Sequence, residues 1–244
     1  MTKPTERQIN LLKVLIEEYI ESAEPVGSET IEKKYPHLGI SPATIRNEMV
    51  KLTQAGFLKK LHSSAGRMPT PVGLKFYVRE LMKAKELSVS DEVAVKEKVW
   101  NYRNSIDQLL REATRALAEK TKTLALATSV NGDIYYAGTA NILDMPEFYD
   151  INLTRNLLLM LDRLDFWNRL FNRAVENDEV IHILLGEELG ETLSPCGFVY
   201  SHYQVGSQGE GAIGVVGPVR LDYPHVVPAV RYFGDLISEM TRNW

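Results

Sequence analysis

Cysteine is nearly missing from this chain. Cys196 is the single one among 244 residues, which excludes an internal disulfide and any metal site built on paired cysteines. Such sparing use of cysteine fits a reducing, cytoplasmic setting. No run of about 18 apolar residues occurs, so no membrane-spanning helix is expected. The opening stretch MTKPTERQINLLKVLIEEYIESAEP mixes charged with apolar residues and lacks the uninterrupted apolar centre of a secretory signal. Histidine is sparse. His37, His62, His182, His202 and His225 are scattered, in no spacing that suits a metal ion, and no cofactor is expected. The motifs of a nucleophile elbow and of a protein kinase are absent as well. Glu187 and Glu188 could act as acid and base, but a charged pair closing a strand is the commoner arrangement. The sequence therefore does not read as an enzyme.

One apparent motif needs care. Gly209, Gly211 and Gly214 match the G-x-G-x-x-G spacing of dinucleotide-binding loops. That chemistry needs a strand before the glycines and a helix opening at them, with the phosphates at its N-terminus. Here AIGVVGPV reads as strand, Pro218 follows, and Glu210 would repel a pyrophosphate. A glycine-rich hairpin between two strands is expected instead.

What is present is ordinary in amount and unusual in placement. The chain is 44% hydrophobic and 25% charged, with a net charge of −4, as in a globular protein of one or two domains. Between Ser41 and Lys85 stand nine basic residues against Glu48 and Glu80, a local balance of +7, which leaves −11 for the rest. A positive field confined to one stretch of an acidic chain suits a polyanionic partner, or else a solvated charged face.

The periodicity explains the placement. Ile9, Leu12, Ile16, Tyr19 and Ile20 predict a first helix, with Thr5 at its cap. Pro25 and Gly27 break it, and SETIEKKY reads as a second helix capped by Ser28. A third begins at Ser41, whose hydroxyl can cap it. Pro42, at the first helical position, gives up an N–H that would have no partner there. Ile45, Met49 and Leu52 fall on its inner face, and Gly56 can close it. FLKKLH and RMP then read as short strands joined by the turn SSAG. Thr70–Pro71 repeats the cap-and-proline device and opens a fourth helix, VGLKFYVRELMKAKEL. Three helices and a basic hairpin make a winged helix-turn-helix, in which helix three enters the DNA major groove and the hairpin reaches a neighbouring backbone or minor groove. Arginine reads guanine through two hydrogen bonds and asparagine reads adenine. The residues expected to contact bases are Thr44, Arg46 and Asn47. Those expected at phosphate or in the minor groove are Lys51, Lys59, Lys60, His62 and Arg67.

Farther on, Val95, Val99, Tyr102, Ile106, Leu109, Ala113 and Ala116 are spaced 4, 3, 4, 3, 4, 3. This predicts one long helix, capped by Ser90, whose seam is either a dimer contact or packing within its own domain. TLALATSV and DIYYAGTANIL predict two strands joined at Asn131–Gly132. Thr154–Arg173 reads as helix. VIHILLGEE, GFVYSHYQVG and GAIGVVGPV read as strands, and the chain ends in a helix. The expected fold class is α+β: a winged-helix domain over 1–87, a linker helix over 88–122 and a regulatory domain over 123–244.

The stretch SPATIRNEMVKLTQAGFLKKLHSSAGRMPTPVGLKFYV, together with YYAGTANILDMPEF, LLGEEL and GAIGVVGPVRLDYPHVVPAVRYFGDLISEM, resembles the heat-inducible transcription repressor family HrcA. The resemblance implies a GAF-like C-terminal domain and a homodimer bound to an inverted-repeat operator upstream of chaperone genes. It also implies activity maintained by the GroEL chaperonin. The family normally carries further strands and an inserted dimerisation domain where this chain has only Asn131–Gly132, so the GAF-like sheet is expected to be reduced. The alternative is a regulator of other genes that senses a small molecule through that domain.

Overall fold

A computed structural model describes residues 4–62, 65–171 and 180–244. The chain divides into two units, Met1–Lys83 and Ala84–Trp244.

In the first unit the helices are α1 (Glu6–Ser22), α2 (Ser28–Lys34) and α3 (Pro42–Gln54), and side chains cap the free N–H groups of α1 and α3 but not of α2. Thr5 and Gln8 form a reciprocal capping box at α1. Ser41 accepts from the Thr44 N–H at α3. Gly27, not Ser28, occupies the cap of α2, and Ser28 is buried inside its first turn. Leu11, Leu12, Leu15, Ile16, Ile31, Ile45 and Leu52 form the sealed centre. Gly56 follows α3 with φ +84° and turns the chain into the hairpin β1 (Leu58–Lys59) and β2 (Met68–Pro69). Leu58 pairs with Pro69, and Lys59 with Met68. Part of the predicted turn, Ser63 and Ser64, lies outside the described residues. A feature not foreseen is a third pairing, in which Val26 and Arg67 exchange both backbone hydrogen bonds at 2.8 Å. The fourth helix, α4 (Pro71–Phe76), is shorter than predicted. It loosens into a π-type turn over Tyr77–Leu81 and ends there.

In the second unit, the single helix expected between 88 and 122 is two: α5 (Val89–Trp100), capped by Ser88 rather than Ser90, and α6 (Ile106–Thr121). Asn101, Asn104 and Ser105 interrupt it, all weak helix formers whose side chains compete for the backbone. The two helices are joined by the ion pairs Lys98–Glu119 and Lys120–Asp91. Residues of the predicted seam turn inward within this unit. Val99, Leu109 and Ala113 are fully buried, and α6 packs on the sheet and on the last helix.

That sheet has five antiparallel strands: β3 (Leu124–Thr128), β4 (Ile134–Ala137), β5 (His182–Leu185), β6 (Cys196–Val205) and β7 (Gly209–Pro218), in the order β4-β3-β7-β6-β5. β3 turns directly into β4 at Gly132. β4 stops at Ala137, and the rest of its predicted length forms 3-10 turns. Alternation divides the side chains between two faces. Leu124, Leu126, Phe198, Tyr200, Ala212 and Val216 join a core completed by Phe148, Leu157, Trp167 and Phe171. The predicted helix Thr154–Arg173 is two, α7 (Ile151–Leu161) and α8 (Leu164–Phe171), and residues 172 and 173 lie outside the described range. The opposite face is covered by α6 and α9 (Tyr223–Thr241). The arrangement is GAF-like. The three glycines lie within β7 itself, and no helix begins at them. A Cβ at Gly214 would sit 2.4 Å from the Val199 carbonyl oxygen and 2.5 Å from the Tyr200 Cβ, so this glycine lets β6 and β7 close.

Candidate nucleic-acid interface

The inner side of α3 is fixed by Ile45, Met49 and Leu52, all buried. At about 100° per residue, the opposite side carries Ala43, Arg46, Asn47, Val50 and Gln54, all exposed. Among the described residues, Arg46 and Asn47 make no side-chain hydrogen bond or ion pair. Both end in groups that form paired hydrogen bonds to base edges. Val50 shares this side, and sequence reading passed over it. The spacing 43-46-47-50-54 was the available signal.

Thr44 and Lys51 sit on the flank instead. Thr44 is half-buried, with its hydroxyl 3.1 Å from that of Ser41. Lys51 reaches back to Glu48 at 3.2 Å. Glu48 is the acid that charge counting treats as exposed, yet it is 3% exposed. It accepts from Gln8 at 2.8 Å and pairs with Arg7 at 3.1 Å, joining α3 to α1. Burial works against its charge. The hydrogen bonds from Gln8 and Lys51 and the charges of Lys51 and Arg7 more than offset this, so the carboxyl lies below its ordinary range. A lowered folded-state pKa means that the unfolded chain binds the proton first. The stabilisation is complete above the ordinary glutamate pKa and disappears as pH falls through the lowered one. Urea midpoints of the wild type and Glu48→Gln are therefore expected to differ near neutrality and to converge in acid. Parallel pH profiles would contradict the assignment.

The wing stands beside α3. Arg67 holds its root, donating from Nε to Thr53 Oγ1 at 3.1 Å, while Thr70 Oγ1 donates to the Gly56 carbonyl at 2.6 Å. A Cβ at Gly66 would fall 2.6 Å from the Val26 carbonyl, so glycine permits this close seat. A groove runs between the start of α2, the outer side of α3 and the wing, and it brings Arg46, Lys60 and Arg67 together with Glu29 on its rim. Lys59 and His62 are exposed on the wing outside that groove.

The remaining candidates have structural duties. Glu188 accepts from the Leu185 N–H at 2.8 Å. Burial, with Glu147 nearby, pushes the Cys196 thiol up to about 12, far from a reactive thiolate. His182 and His202 stack edgewise at 5.2 Å beside Tyr200 on the sheet. Arg220 holds Glu147 through two hydrogen bonds of 2.6 and 3.0 Å. Among the described residues, no cluster of metal-ligating side chains occurs, and no helix is long and apolar enough to cross a membrane.

Comparison with known proteins agrees with both units. Residues 16–69 match the DeoR-like helix-turn-helix domain. Residues 75–227 match the family described as HrcA protein C terminal domain. The heat-inducible transcription repressor HrcA of Ruminiclostridium cellulolyticum is 26% identical, with 96% of each chain covered. That of Symbiobacterium thermophilum is 26% identical, with 97% of this chain and 98% of the relative covered. The first alignment spans 336 positions, 92 more than the 244 residues here, so part of the relative has no counterpart. A crystal structure described as that of a hypothetical protein superposes with a TM-score of 0.75 at 19% identity, covering 98% of this chain and 99% of the other, and so shares the fold. With more than half of its length matched by the C-terminal domain, and a DNA-binding helix-turn-helix ahead of it, the chain belongs to the HrcA family.

Proposed function

We propose that this protein is a transcriptional repressor of heat-shock genes that binds an inverted-repeat operator as a dimer. The carrying observation is the exposed pair Arg46 and Asn47 on α3, set across a groove from a basic wing. In this reading Arg46, Asn47 and Thr44 meet bases, with Thr44 at the edge of the contact. Lys51, Lys59, Lys60, His62 and Arg67 meet phosphate or the minor groove. The name borne by the relatives, heat-inducible transcription repressor, supports the class of genes. Family membership also favours a cytoplasmic protein whose activity the GroEL chaperonin maintains, and adding the chaperonin to a dilute sample should then raise the fraction competent to bind DNA. The direct test is a footprint on genomic fragments. A protected inverted repeat upstream of chaperone genes is expected, and protection elsewhere would refute the gene assignment.

The wing makes a separate prediction. Replacing Lys59 and Lys60 with Ala should flatten the slope of log K against log salt by about 0.9 for each phosphate no longer neutralised, with sequence preference intact. An unchanged slope would remove the wing from the interface.

One observation favours a second reading, a regulator of other genes that responds to a metabolite. A polar cleft at one end of the sheet is lined by Thr128, Asn131, Asn168, His202 and Glu210. Native mass spectrometry of the purified protein would find a co-purifying molecule if that reading holds.

A further inference from the structure

The outer side of α7 carries large apolar residues as its buried side does. Leu153, Leu157 and Leu161 enter the core, while Ile151 is 72% exposed, Leu158 40% and Leu159 50%. At about 100° per residue, Ile151 and Leu158 lie nearly in line and Leu159 about a quarter-turn from them. Tyr149 and Leu143, in the turns leading into α7, are also exposed. Five large apolar side chains are thus exposed within Leu143–Leu159, in α7 and the turns just before it.

We propose that two copies of the chain meet here, with α7 antiparallel to α7 of the partner about a two-fold axis between Leu158 and Leu159. The proposal rests on the dimer reading above and names its surface. Charge decides the orientation. Arg155 and Asp162 lie on the same outer side, both exposed, and neither has an ion pair among the described residues. In an antiparallel pair centred between 158 and 159, Leu158 faces Leu159 of the other copy and Arg155 faces Asp162, twice over by symmetry. A parallel pair would set Arg155 against Arg155. A two-fold contact must be self-complementary, and this sequence of arginine, two leucines and aspartate is so only when antiparallel.

Sedimentation equilibrium on the full chain tests the surface. Leu158→Glu combined with Leu159→Glu is expected to raise the dimer dissociation constant at least about 100-fold, with circular dichroism unchanged. Arg155→Asp and Asp162→Arg should each weaken the dimer, and the two together should restore it. A double-glutamate variant that remains as tightly dimeric as the wild type would overturn this surface and leave the dimer reading standing. Failure of the combined swap to restore association would overturn the antiparallel pairing, and the proposal with it. A wild-type chain that stays monomeric at every concentration would overturn both readings.

Discussion

Leu109→Glu is expected to unfold the second unit rather than to separate two protomers. Leu109 has no exposure and lies on the side of α6 that packs against the sheet and α9. A glutamate there must either bury a charge without a partner or take up a proton to avoid it. Uncompensated buried charge costs about 3–5 kcal/mol, against a total stability of about 5–15 kcal/mol for a domain. Loss of helical signal, or a urea midpoint lowered by more than about 1 M, is the expected result. A folded monomer of full stability would instead mean that the 4-3 seam is an interface after all.

Arg46→Ala is expected to cost about 1–3 kcal/mol at the cognate operator, as removal of a two-pronged guanine contact does. Random DNA should be weakened much less, because non-specific affinity comes from phosphate neutralisation. Arg46→Lys should restore the charge and not the discrimination, since an ammonium lacks the planar fork. Binding isotherms on the two DNAs at one fixed salt concentration decide the matter. Equal effects on both would reassign Arg46 to the phosphate backbone.

The parts of this molecule legible in its sequence are those that short-range chemistry determines. Ser41–Pro42 and Thr70–Pro71 start their helices where expected because a hydroxyl and a proline act within one turn. β6 and β7 follow from short runs of β-branched and aromatic residues, Phe198, Val199 and Tyr200 in one and Ile213, Val215 and Val216 in the other. The outward row of α3 is visible because helical spacing separates it from Ile45, Met49 and Leu52. The misreadings share another cause. The heptad pattern runs through Asn101–Ser105 without a break, and only the packing of α6 on β3 reveals that both halves belong to one core. Glu48 is an exposed charge by residue type, and its burial needs Arg7 and Gln8, some 40 residues away. Val26 pairs with Arg67 across a similar distance. The apolar outer side of α7 was hidden in plain view, since LLLML reads as a core helix with no sign that one side stays uncovered.

The strand order has a consequence for how the protein is made. β3 is paired along its length with β7, from Leu124 with Val216 to Thr128 with Ala212, so the middle of the sheet joins segments more than 80 residues apart. During synthesis the winged-helix unit can form early, whereas the pairing of β3 with β7 must wait for nearly the whole chain to leave the ribosome. Such late, long-range pairing is intrinsically slow and leaves apolar strands open to aggregation in the meantime. The rate at which this pairing forms therefore bears on how much of the chain reaches its native sheet.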